Sequence, residues 1–116
     1  DQCLGGIEGE PEAVAEIKKG DGPYKASISL SSPVFGYAMG EHAADWLEGK
    51  SIPQAMDILP SALTSANLAQ YEADLADPAA VYADPARRDA YLKMYGNICY
   101  DTRDQYVNFP WSSEAK

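Results

Sequence analysis

Apolar residues recur along the first third of the chain in two different periods, and the switch between them predicts the elements. Leu4-Gly5-Gly6-Ile7 is a short apolar run, too short for a helix and consistent with a strand. Pro11 then stands where the first turn of a helix tolerates it, Ala13, Val14 and Ile17 recur at helical spacing, and Gly20 is placed as a stop. Glu10 and Glu12 at the start and Lys18 and Lys19 at the end match the helix dipole. After the Gly22-Pro23 turn, Ala26, Ile28 and Leu30 alternate with Ser27 and Ser29, a period-two strand. Strand, helix, strand over this length predicts one βαβ unit, hence a parallel pair with a right-handed crossover.

The pattern then turns helical. Ser32-Pro33 reads as an N-cap followed by proline, and Phe35, Met39, Ala43, Trp46 and Leu47 form one apolar face before Gly49. Met56, Ile58 and Leu59 make another short run before Pro60. Leu68, Tyr71 and Leu75 fall at helical spacing, and Asp77-Pro78 and Asp84-Pro85 are two more cap-then-proline starts. Tyr91, Leu92 and Tyr95 read as the end of the last helix, closed by Gly96. Beyond Cys99, the residues Tyr106, Phe109 and Trp111 show no clear period, and this tail is expected to lie over a surface or to fray.

Composition narrows the function. A chain of 116 residues makes one domain at most, with a modest core. Asp and Glu outnumber Lys and Arg by 18 to 9, and a net charge of −9 argues against a nucleic-acid partner, which needs a basic face, and against an anionic membrane surface. No apolar run reaches the length of a membrane span, and no basic-then-apolar leader opens the chain. Its start at Asp1 raises the expectation that a longer chain once preceded it. Cys3 and Cys99 lack metal-ligand spacing; they form one disulfide in an oxidising compartment and remain two thiols in a reducing one.

The search for chemistry leaves little that resembles an enzyme. His42, the sole histidine, sits beside Glu41 on an amphipathic helix and is expected at the surface or half-buried, without catalytic partners. Gly5, Gly6 and Gly9 do not make a phosphate loop, and no catalytic pair stands out among the dispersed carboxylates. No metal or other cofactor is implied. One constellation survives: in an open parallel sheet, ligands bind beyond the carboxyl ends of the strands. Glu8 and Gly9 lie at the first such end, Ser31 and Ser32 at the second. A carboxylate there accepts paired hydrogen bonds from neighbouring hydroxyls of a sugar or polyol, and serines donate or accept nearby. The structural alternatives stand beside this: Glu8 as a cap for the helix that follows, Ser32 as no more than an N-cap.

The run Gly6-Ile7-Glu8-Gly9-Glu10-Pro11-Glu12-Ala13 resembles the Gly-(Ile/Phe)-Asp-Gly-x-Pro-Glu-Ala segment of ribose- and galactose-type periplasmic sugar-binding proteins. Ala26-Ser27-Ile28-Ser29 is similar to their next strand, Gly40 to Lys50 to the helix and turn that follow, and Leu59-Pro60 with Leu63-Thr64-Ser65-Ala66-Asn67 to their final strand and its ending. The resemblance covers residues 4 to 70 and implies an α/β fold, with residues 1–70 as part of a parallel-sheet, three-layer lobe of the type I periplasmic-binding-protein kind; residues 71–116 depart from it by running past where ribose-type chains stop, and their own pattern reads as a helical C-terminal extension. The resemblance implies a periplasmic solute-binding subunit of an ABC transporter. Such a subunit captures a sugar or polyol without converting it, and its partners are the remainder of the binding protein and a membrane permease. Glu8 matches the acidic sugar contact of that family with one added methylene. Leu30 stands where ribose-type members have a glutamine, so Ser29 or Ser31 becomes the substitute hydroxyl. A lobe cut at this point leaves an unpaired sheet edge. The alternatives are the effector-binding domain of a LacI-type transcriptional regulator, which shares the fold, and a small standalone interaction domain.

Overall fold

The computed structural model describes residues 2–96 and is a mixed α/β structure with five helices and two small sheets among those residues. The predicted βαβ unit is present: β1 (Leu4–Ile7), α1 (Pro11–Lys19) and β2 (Tyr24–Ser29), with β1 parallel to β2 and Ile7 opposite Ile28. The chain continues through α2 (Ser32–Leu47), β3 (Ala55–Ile58) and β4 (Ser61–Leu63). It ends with α3 (Leu68–Ala76), α4 (Pro78–Ala83), α5 (Pro85–Asp89) and β5 (Leu92–Gly96).

The first sheet has the order β1-β2-β4, and here the expectation of a purely parallel sheet is corrected, because β4 runs antiparallel to β2. The second sheet is the antiparallel pair β3-β5. The apolar run at Met56 to Leu59 therefore does not join the first sheet. Pro60, which has no N–H to give a ladder, separates it from β4. Met56 and Ile58 pack instead on Leu92 and its neighbours.

The expected helix ending at Gly96 is also corrected. The helical turn stops at Asp89, and Leu92 to Gly96 is a strand in which Leu92 is fully buried, Lys93 exposed and Met94 packed on the core. That is a period of two hidden in a segment too short to separate it from a helix by sequence. The Tyr91 carbonyl accepts from Leu59 N–H at 2.8 Å, which starts the ladder.

Two apolar clusters form the core. Val14, Ile17, Leu63, Leu68 and Tyr71 gather α1 and α3 on one face of the first sheet. Val34, Ala38, Val81, Tyr91 and Leu92 gather α2, α4 and β5. The inward face of α2 differs from the predicted one. Val34, Ala38 and His42, one turn apart, are buried against α4, where the small Ala38 lets Val81 approach. The larger stripe faces out: Met39 is 51%, Trp46 66% and Leu47 79% exposed. His42 is thus buried, with its ring edge-on to Tyr82. The opposite face of the first sheet, carrying Ile7, Ile28 and Ala62, is exposed, and the outer edge of β1 pairs with no strand among the described residues.

Both Asp-Pro starts behave as their chemistry dictates. Asp77 Oδ1 accepts from Ala80 N–H at 3.1 Å, and Asp84 Oδ1 accepts from Ala86 N–H at 3.0 Å and Arg87 N–H at 3.3 Å. Cys3 is exposed ahead of β1, Cys99 lies outside the described residues, and no disulfide occurs among the described ones.

Candidate functional site

The two strand ends meet as parallel pairing requires. The β1 ladder runs one residue past the strand, with Glu8 N–H donating to the Ile28 carbonyl at 2.6 Å. Glu8 itself sits at φ 88°, a region that side chains rarely adopt. Gly9 follows at φ 66°, and its N–H donates to Ser27 Oγ at 3.1 Å. A Cβ on Gly9 would stand 2.8 Å from Leu63 Cδ1 and 3.0 Å from both Ser29 Cβ and the Tyr71 hydroxyl, so close packing as well as backbone angle demands glycine. At the end of β2, Ser29 Oγ accepts from Ser31 N–H at 3.0 Å and shares a 2.7 Å hydrogen bond with the Tyr71 hydroxyl.

Ser31, not Ser32, is the N-cap residue of α2, and it too is left-handed, at φ 51° and ψ 48°. It makes no side-chain cap bond; its Oγ is buried and without a hydrogen-bond partner among the described residues. Ser32 is the first helical residue, ahead of Pro33, and lies exposed. Two non-glycine residues with positive φ, one at each strand end, are stored strain of order 1–3 kcal/mol apiece.

Glu8 and Ser32 line one cleft of about 290 Å3, with Pro11, Tyr71 and Leu75 behind them. The Glu8 carboxylate is exposed and has no partner among the described residues, so it does not cap α1, whose N-cap position is Glu10. Ser31 lies next to this cleft in the chain but below the surface, 1% exposed.

A second polar constellation was not singled out by the sequence. Asp74 on α3 is 3% exposed and accepts from Gln70 Nε2 at 2.7 Å, Arg87 Nη2 at 2.7 Å and the Tyr91 hydroxyl at 2.5 Å. Burial pushes the Asp74 carboxyl up, but those three donors outweigh it and hold the group below its ordinary value. Burial and the Asp74 carboxylate hold the Tyr91 hydroxyl well above its own. The clasp lines a cleft of about 680 Å3 that Tyr71 and Leu63 also line. Spacing alone could flag Gln70–Asp74 as an i,i+4 pair, but Arg87 and Tyr91 arrive from other elements.

Among the described residues no cluster of His, Cys, Asp or Glu could hold a metal ion, and no helix is long and apolar enough to cross a membrane. No protein-family model, no curated protein and no solved structure matches the chain.

Proposed function

We propose that this chain supplies one wall of a ligand cleft in a periplasmic solute-binding protein of the type I fold. In this reading it captures a sugar or polyol for an ABC-transporter permease. The observation that carries the reading is the pair of strained residues at adjacent parallel strand ends. Glu8 and Ser31 both hold left-handed backbone angles, and around them lie an exposed carboxylate, an exposed serine and a buried hydroxyl that has no partner among the described residues. Strain retained at the mouth of a parallel pair is how a fold fixes polar groups for a ligand. Glu8 accepts from two adjacent ligand hydroxyls, Ser32 makes the second polar contact, and the Tyr71 ring gives the apolar floor on which a sugar ring rests. Ser31 Oγ is held ready for a hydroxyl or water that enters from the cleft. The remainder of the binding protein provides the opposite wall, closing by a hinge. No bond is made or broken.

The test is a thermal-shift screen of the intact protein against pentoses, hexoses and polyols, followed by calorimetry on the best sugar. Ligand binding raises the melting temperature by mass action, and Glu8→Ala weakens binding by more than about 1 kcal/mol. A flat screen removes the sugar-binding reading altogether. A hit whose affinity is indifferent to Glu8→Ala removes Glu8 from the site.

A further inference from the structure

The cleft of about 680 Å3 beside the Asp74 clasp has no role in the sugar-binding reading, yet its volume falls in the range of small-molecule sites. Its polar groups divide into those already engaged and those still open. Asp74 is engaged: three donors fill its oxygens, and the Arg87 guanidinium compensates its charge. Asp84, whose charge also reaches Arg87, is taken up in capping α5. Arg87 is still open. A guanidinium carries a rigid fork of N–H donors, and among the described residues its side chain gives one hydrogen bond, from Nη2 to Asp74. The side chain is partly exposed and lines the cleft, so solvent reaches the rest of the fork. The Tyr71 hydroxyl is engaged with Ser29 and the Tyr91 hydroxyl with Asp74, which leaves these residues to offer the cleft their rings, beside Leu63.

An open guanidinium beside two rings and an aliphatic side chain suits a planar anion that accepts paired hydrogen bonds and carries an apolar body. We propose that this cleft binds a small monocarboxylate with an aromatic body, its carboxylate on the free donors of Arg87 and its body against Tyr71, Tyr91 and Leu63. The buried Asp74 prepares the site. It anchors one end of the Arg87 fork, so less side-chain freedom is lost when a ligand arrives. A dicarboxylate is not matched, because among the described residues Arg87 is the sole cation lining the cleft. Gln70 gives its Nε2 to Asp74 and keeps Oε1 as an acceptor, which makes the neutral amide of the same shape the competing ligand. Tyr71 alone lines both this cleft and the one at Glu8, so the two sites stand or fall separately.

The experiment titrates the isotope-labelled full chain with phenylacetate, and separately with phenylacetamide and acetate, following backbone amide shifts by NMR. The expected result is saturable shifts centred on residues 86–91 with phenylacetate, and several-fold weaker binding of the amide and of acetate. Arg87→Gln is expected to abolish the phenylacetate shifts. Because that change also loosens the clasp, Ala86→Glu gives the second reading. It sets a negative charge on the cleft lining, at an exposed position in the first turn of α5 where a helix accepts an acidic residue. Like-charge repulsion is expected to weaken phenylacetate binding several-fold there and to leave the amide unchanged. Absence of saturable shifts overturns the proposal. Acetate binding as tightly as phenylacetate overturns it too, since that is an anion pairing with an exposed guanidinium and no more. The amide binding as tightly as the acid assigns the cleft to a neutral ligand and rejects the carboxylate. Phenylacetate binding that Ala86→Glu leaves unchanged puts the site elsewhere and rejects this cleft.

Discussion

The residues that matter most are those whose backbone angles or contacts leave no alternative. Gly9 combines a positive φ with neighbours that a methyl group would strike, and the nearest of them, Leu63, is itself held in the core. Gly9→Ala is expected to destabilise the protein by about 1–3 kcal/mol through overpacking and strain, read as a lower denaturation midpoint at unchanged slope. Sequence reasoning reached Gly9 as a residue at the mouth of the first strand, because Glu8-Gly9 follows a short apolar run. It did not reach the unusual angles of Glu8 and Ser31, since neither residue type advertises a positive φ. Nor did it reach the Ser27, Ser29 and Tyr71 hydrogen bonds, which join residues far apart in the chain. Of the two serines proposed at the second strand end, Ser32 faces the cleft with Glu8, while Ser31 is interred beneath it.

At the scale of elements, local chemistry was the readable part. Each Asp-Pro pair opens a helix with its carboxylate on free N–H groups, and that signal lies within four residues. Asp84→Ala is expected to cost about 1 kcal/mol, the usual value of an N-cap, seen as reduced helicity and earlier thermal unfolding, whereas Asp84→Asn is nearly neutral. The βαβ unit was legible for the same reason: its period change, caps and turn are all local. What was not legible is where a strand goes once formed. Met56 to Leu59 looks equally suited to either sheet, and the choice is made by Leu92 and Met94, more than thirty residues later. The outward turn of Trp46 and Leu47 is of the same kind. On the isolated helix one stripe carries Val34, Ala38 and His42 and the other Met39, Trp46 and Leu47, and packing against α4 buries the first, where Val34 and Ala38 are the smaller apolar side chains.

At the scale of the whole molecule, the Asp74 clasp joins the two apolar clusters. Asp74 rides on α3, which packs in the first cluster, while Tyr91 belongs to the second and Arg87 to α5. The sign of its pH dependence follows from the lowered carboxyl. The folded state binds the proton less readily than the unfolded chain, so the clasp's stabilisation is complete above the ordinary carboxylate value and is lost as pH falls through the folded one. Acid unfolding below about pH 4 is therefore expected to be shallower in Asp74→Asn than in the parent protein, as followed by circular dichroism. Removing the carboxylate also leaves the buried Tyr91 hydroxyl without its acceptor. Asp74→Ala should therefore lower stability at neutral pH by about 1–3 kcal/mol, measured by urea titration.

The strand order carries one more consequence. Along the chain the strands fall in the first sheet, the first, the second, the first and the second again, as β1, β2, β3, β4 and β5. The two sheets are interlaced like laced fingers, and no single cut frees one with all of its strands. A chain woven this way cannot shed half of itself: whatever loosens β5 also removes the far end of the stretch that holds β4 and α3 in place. Melting followed by tyrosine absorbance and by backbone dichroism should accordingly trace one coincident transition rather than two.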